Sequence, residues 1–482
     1  VICTSIQVAG STQVYETQTL PAQVWQSKTK LPLDYKGDYG LINKQAPPIG
    51  AQKGYVSTKP IIATALLENR FHQDAYEYIT GRGINGINIS SYWNGIDYTF
   101  INPDTNPDPV SGDYSNPSGA FTNYFENLSS AGKLKMIIIK NDTWIRDKYD
   151  SENQTKIAHY LNDHSNHTEL SYWSPEVPAM LDYKRTRLIP ENHDYPDPGL
   201  YDYLHSWSEE MKTWNNDTLR NSWGPEDINV IQNTHKATFP LTWCYRSDID
   251  AFMNKTIERQ NVQLVMANAR GHATATGTKC LMRLDAWAHR QQTTWWPEEM
   301  KTVFRGFYYG GADYIDHESG EAIAEVKDQF YPNTKGVALF DFAGFAYNHP
   351  GRGDLNIPFA MMYGRGNIMG SIHIDGTALF NPEGTDVRMR YDRDMNYLDV
   401  FFADYGTATI TKEERLFTGT PYGTTDLIPF EGDPEDFNRY RMIMMVGLNA
   451  MTGTQAKNLR AFVEDGGTLV MALGHALGEE KY

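Results

Sequence analysis

Cysteine is scarce in this chain, with only three in 482 residues, at positions 3, 244 and 280. Three thiols build no disulfide framework, and without a C-x-x-C pair a structural zinc site has no ligand motif. A single bridge between Cys244 and Cys280 is one option and two buried free thiols the other. Long apolar runs are missing too: no stretch of about 18 apolar residues occurs, so no segment reads as a membrane-spanning helix. Positive charge is in deficit, with 43 Lys and Arg against 60 Asp and Glu and a formal net charge of −17. That balance argues against nucleic acid or an anionic membrane as partner, because both need a basic footprint. No Gly-rich phosphate loop, H-E-x-x-H or G-x-S-x-G pattern is present, which leaves those three chemistries without a motif.

Aromatic residues are plentiful: 30 Tyr, 20 Phe and 11 Trp. Rings fill cores, and they also offer apolar faces with polar edges on which sugars stack. Asn-x-Ser/Thr sequons occur at Asn88, Asn127, Asn141, Asn153, Asn166, Asn216 and Asn254, all in the first part of the chain. Their clustering favours an extracellular, glycosylated protein, and a first residue other than Met fits removal of a leader.

The chain is too long for one typical core. Residues 1–58 are rich in Thr, Gln, Pro and Gly and read as an N-terminal extension or small β layer. From Ile61 strand and helix signals alternate. Strands are expected at 61–67, 84–90, 134–140, 240–245, 262–267, 312–316 and 336–342, with helices at 248–260, 298–306 and 321–330 among those between them. Residues 164–240 give no regular signal and must hide one strand. About seven strand signals over some 300 residues point to a (β/α)8 barrel of the TIM type at 59–394 rather than an open doubly wound sheet. A second α/β domain is expected at 395–482. Its clearest part is an apolar strand at 441–447, a helix at 454–464, Gly466-Gly467, and a second apolar strand at 468–473.

In such a barrel the chemistry gathers where strands end. Residues following the expected strands include Glu68, Trp93, Asp142, Trp144, Asp248, Arg270, His272, Asp316, His317 and Glu318. Any one of them alone is ordinarily a loop residue or helix cap; Asp248 and Asp250, just before an expected helix, fit a cap well. Together they are what a sugar-processing cleft requires. Cleavage of a glycosidic bond needs two carboxyl groups flanking it. Glu318 is the candidate nucleophile or base. Asp142, Asp248 and Glu68 compete for the second place, and Asp142 is carried forward with Glu318 as the catalytic pair. Arg270, His272, Trp93, Trp144, Asp316 and Trp295 are the expected substrate-binding residues; Trp295, beside Trp296 at a helix start, is as readily a core anchor. No metal is expected at this site. The loop at 102–118, with Asp104, Asp108 and Asp113, has oxygen ligands for calcium, but its spacing matches no EF-hand and a solvated acidic turn is the plainer reading.

The run Gly310-Gly311-Ala312-Asp313-Tyr314-Ile315 through Glu318 resembles the late-strand segment of clan-A-like glycoside hydrolases. The segments Tyr397–Phe402, Thr418–Gly423 and Asp426–Pro429, with the strand–helix–strand unit above, resemble the glutamine-amidotransferase-like, flavodoxin-like domain that follows the barrel in trimer-forming beta-galactosidases. The resemblance implies a secreted glycoside hydrolase acting on an oligo- or polysaccharide, and a homo-oligomer formed through the C-terminal domain. Those hydrolases place an Asn-Glu pair after the fourth strand as general acid, and this chain contains no Asn-Glu dipeptide. The competing reading is a non-catalytic extracellular glycan-binding or surface-assembly protein on an inherited hydrolase scaffold.

Overall fold

The computed structural model describes residues 61–65, 78–90, 135–140, 169–173, 209, 211–223, 229–234, 248–256, 262–276, 278–285, 297–326, 329–353, 355–363, 424–429, 434–445 and 452–471. Eight parallel strands close into a barrel: β1 (Ile61–Ala65), β2 (Gly86–Ser90), β3 (Met136–Lys140), β4 (Glu169–Trp173), β5 (Asn229–Thr234), β6 (Ala251–Thr256), β7 (Lys279–Asp285) and β8 (Tyr314–Glu321). Closure is explicit, since β1 pairs with β2 on one side and with β8 on the other. The expected α/β barrel is therefore present, with three corrections to its strands.

The unreadable stretch holds two strands rather than one. β4 (Glu-Leu-Ser-Tyr-Trp) and β5 (Asn-Val-Ile-Gln-Asn-Thr) carry too many polar residues to stand out as apolar runs. The second correction is one of phase. The helix expected at 248–260 is strand β6, and the strand expected at 262–267 opens helix α1 (Val262–Thr276). Likewise the helix expected at 321–330 is an antiparallel hairpin, β9 (Ile323–Val326) with β10 (Gln329–Pro332). The strand expected at 336–342 lies inside helix α3 (Thr334–Asn348); α2 (Pro297–Tyr309) precedes β8. The third correction is β7 itself, which went unrecognised.

One cause underlies the phase errors. A short apolar run reads equally as buried strand or buried helix. β6 is wholly buried, yet its second half is Asn254-Lys255-Thr256. Helix α1 is instead apolar nearly all round, being covered on two sides. It packs on β6 and β7 of the barrel and on a strand of a second sheet, β12 (Thr425–Pro429). A Cβ on Gly271 would stand 2.0 Å from the Leu427 carbonyl oxygen, so this helix–strand approach tolerates glycine only.

The second sheet is four-stranded and parallel, in the order β12, β11 (Phe359–Tyr363), β13 (Met442–Met445), β14 (Thr468–Val470). The sheet recruits β11, well before residue 395, so the expected boundary at 394/395 cuts through this body. The strand–helix–strand unit is as read. Helix α5 (Gly453–Glu464) starts in a capping box between Thr452 and Gln455, and Gly466 takes φ 98° after its end. A short helix, α4 (Pro434–Phe437), precedes β13.

Candidate functional site

Side chains alternate across a strand, so residues two apart share a face. Ala63, Met136, Ile138, Ile231, Ala251, Met253, Leu281 and Tyr314 pack together as the barrel's inner core. One step further along the strands, Lys255, Arg283 and Asp316 are consecutive register partners on β6, β7 and β8. All three are buried. The Arg283 guanidinium clasps the Asp316 carboxylate from two nitrogens, with Nε donating to Oδ1 at 2.7 Å and Nη2 paired with Oδ2. From two strands away, past β1, Asn88 on β2 donates its Nδ2 to Asp316 Oδ2 at 2.7 Å. The Tyr314 hydroxyl lies 2.8 Å from that same oxygen and 2.9 Å from Asn88 Oδ1. Burial, then the adjacent Asp316 charge, pushes the Tyr314 phenol well above its ordinary pKa, so it stays a proton donor. The result is a polar hub joining β2, β7 and β8 one layer along from the apolar inner core.

Two residues beyond the hub, Asp285, the last residue of β7, is the register partner of Glu318, three residues before the end of β8. Paired strands hold such positions about 4.7–4.9 Å apart. On its other side β8 departs from regular pairing. β1 advances from Ala63 to Ala65 while β8 runs from Asp316 to Glu321, so His317 to Gly320 form a bulge. Bulges re-aim side chains and gather beside active sites. His317 itself points the other way, with Nε2 3.0 Å from the Thr64 hydroxyl.

The expected site residues separate into three groups. Glu318 lies within β8, the fifth of its eight residues, rather than just past the strand as expected. Asp316 is fully buried and taken up by Arg283, Asn88 and Tyr314, which corrects its assignment to substrate contact. Arg270 and His272 do not line the barrel mouth. They lie on α1, outside the barrel, because the run before them is helix. Arg270 Nε donates to Asp426 Oδ1 at 2.7 Å, Nη1 to the Gly310 carbonyl and Nη2 to the Thr425 carbonyl. Asp426 also accepts from the Tyr440 hydroxyl at 2.8 Å; burial raises its carboxyl above the usual range, with Arg270 opposing. His272 is buried against the Asn268 carbonyl, and burial pushes its imidazole pKa down to about 4. Asp248 precedes β6 and so belongs to the opposite end of the barrel. There, at φ 63°, it accepts from Asn216, while its neighbour Asp250 pairs with Arg220 at 2.6 Å. Asp142, Glu68, Trp93, Trp144, Trp295 and the loop at 102–118 lie outside the described residues.

Sequence reasoning missed Asp285, Arg283, Lys255, Asn88 and Tyr314. The available signal was Cys280-Leu281-Met282-Arg283-Leu284-Asp285, an apolar run with charges at alternate places, which is how a barrel strand with a polar inner layer reads. Cys280 is a free, buried thiol with its pKa pushed up to about 12. Among the described residues no group of three or more His, Cys, Asp and Glu is arranged to hold a metal ion, and no helix is long and apolar enough to cross a membrane. Three of the seven sequons are consumed by the fold. Asn88 serves Asp316, Asn216 bridges Asp248 and Arg220, and Asn254 is fully buried in β6. The other four lie outside the described residues.

No family model and no curated protein matches the chain. Solved structures do. Gan42B, a GH42 beta-galactosidase, aligns with a TM-score of 0.50 at 12% identity, over 87% of this chain and 73% of that one. A polyextremophilic beta-galactosidase from the Antarctic haloarchaeon Halorubrum lacusprofundi aligns over the same shares at 11% identity and a TM-score of 0.49. The catalytic module of a family 98 glycoside hydrolase from Streptococcus pneumoniae aligns over 88% of this chain and 68% of that one, at 10% identity and a TM-score of 0.42. At such identities the likeness to Gan42B is one of fold: this chain is an α/β barrel of the kind that glycoside hydrolases use.

Proposed function

We propose that the chain is a secreted glycoside hydrolase acting on an oligo- or polysaccharide, with Glu318 and Asp285 as its paired carboxylates. The observation that carries this reading is the register of Glu318 on β8 with Asp285, which closes β7, at the end of a parallel barrel where active sites form. Asp285 takes the partner's place for which Asp142 was the sequence candidate. Retaining glycosidases hold their two carboxyl groups about 5–5.5 Å apart, whereas inverting enzymes need about 6.5–9.5 Å. A spacing set by neighbouring strands supports retention. In that reaction Glu318 attacks the anomeric carbon and forms a glycosyl ester. The other carboxyl gives its proton to the departing glycosidic oxygen, then takes one from the water that cleaves the ester.

Trp93, Trp144 and Trp295 are the candidate sugar platforms. The second body is read as flavodoxin-like, of the amidotransferase-like type, and as the contact of a homo-oligomer. Its strand order β12-β11-β13-β14 supports this reading, for it repeats the 2-1-3-4 start of flavodoxin-like sheets. Export is supported by the clustering of Asn-x-Ser/Thr sequons in the first part of the sequence.

The test is turnover of a panel of 4-nitrophenyl glycosides by the wild-type chain and by Glu318→Gln and Asp285→Asn. Each substitution is expected to lower kcat by about 10²–10⁴-fold. Undiminished turnover in either variant removes that residue from the pair. The absence of an Asn-Glu dipeptide favours the second reading, a glycan-binding protein without catalysis. Glycan-array binding that survives both substitutions, with no wild-type turnover, would establish it.

A further inference from the structure

We propose that Asp316 is the positioning residue of this site: by tying β2, β7 and β8 together one layer beneath Asp285 and Glu318, it sets the spacing and charge environment of that pair. The inference rests on the reading of Glu318 and Asp285 given above. Three observations converge on it. Asp316 is fully buried one layer along from the apolar inner core, in register with the buried Arg283 and, beyond it, Lys255. Both its oxygens are occupied, by Arg283 on β7, by Asn88 on β2 and by the Tyr314 hydroxyl on its own strand. It is also the last residue at which β8 keeps regular register with β1 before the bulge that carries Glu318. A strand leaving regular pairing on one side needs an anchor at the point of departure, or its register is free to slip. The bidentate clasp from β7 supplies the anchor on the side where Asp285 is in register with Glu318.

A carboxylate two residues from the reacting pair also acts through its charge. Replacing Asp316 by Asn leaves the shape and removes the charge, so the Arg283 guanidinium, with the buried Lys255 as its register partner on β6, is no longer balanced. A cation newly felt at the pair favours the ionised form of both carboxyls. Both limbs of the pH profile should then move to lower pH.

The experiment compares wild type with Asp316→Asn and Tyr314→Phe on the 4-nitrophenyl glycoside turned over fastest, and determines a crystal structure of Asp316→Asn. For Asp316→Asn the expected result is a kcat at least about tenfold lower with KM within twofold, both limbs of the kcat/KM profile shifted down by about one pH unit, and a longer Cα separation between Asp285 and Glu318. Unmoved limbs, with a rate loss matching only the fraction of folded protein, overturn the proposal. Should Asp316→Asn not fold, Tyr314→Phe decides: a kcat reduced at least threefold at unchanged KM supports the proposal, and an unchanged kcat overturns it. If the wild-type chain turns over no glycoside, the hydrolase reading fails, and the crystal structure then judges the positioning role alone. An unaltered Asp285–Glu318 separation overturns it there as well.

Discussion

Substituting Asp426 by Ala probes the joint between barrel and second sheet. Arg270 sits on the barrel's α1 with its side chain only 9% exposed, and Asp426 on β12 is 2% exposed. Two further Arg270 nitrogens are held by the Gly310 and Thr425 carbonyls, so the guanidinium cannot swing out to water when its partner goes. Breaking a buried pair by removing one member costs about 3–5 kcal/mol, chiefly the burden of the stranded charge. The Tyr440 hydroxyl also loses its acceptor, worth about 1 kcal/mol more. Against a typical total of about 5–15 kcal/mol the loss is large. The double variant Arg270→Met with Asp426→Leu removes the stranded charge and should recover more than half of it. Urea unfolding followed by both tryptophan fluorescence and circular dichroism measures the change. The two probes should coincide, because α1 belongs to both bodies. A loss under 1 kcal/mol for Asp426→Ala, or a double variant weaker than the single one, would refute the buried-pair reasoning.

Other outcomes follow from the same coordinates. His272, neutral in the fold with its pKa near 4 against an ordinary 6.5, makes stability fall as pH drops from about 6.5 toward 4, since only the unfolded chain takes up the proton. The loss should reach about 3 kcal/mol, and His272→Gln should remove that share of the slope in urea midpoints at pH 7 and 4.5; parallel slopes for both proteins would contradict it. Gly271→Ala should destabilise by about 1–3 kcal/mol or more in thermal unfolding, through its clash with the Leu427 carbonyl. Gly453→Ala, which meets nothing within 4 Å, is the matched control. Expressed through a eukaryotic secretory route, folded protein should carry no glycan at Asn88 or Asn254; peptide mapping that finds either one occupied in the folded fraction would contradict their structural roles.

The apolar runs of β1, β2, β3 and β13, and the capped helix between β13 and β14, were legible because each is a short element whose own residues state its period, its ends and its burial. Helix α1 was not. Its Val-Gln-Leu-Val-Met-Ala start looks like a strand because β12, which covers its second side, lies 155 residues away at the Arg270–Thr425 contact. That misreading carried Arg270 and His272 onto a rim they do not reach.

By itself the sequence determined an acidic, cysteine-poor chain whose strand signals point to an α/β barrel. Only the tertiary structure decided which residues stand in register. The partnership of Asp285 with Glu318, and of Arg283 with Asp316, is a matter of strand register around a closed barrel. Register depends on how every strand pairs with both neighbours, and periodicity along one segment reports only how often that segment is buried, not what buries it.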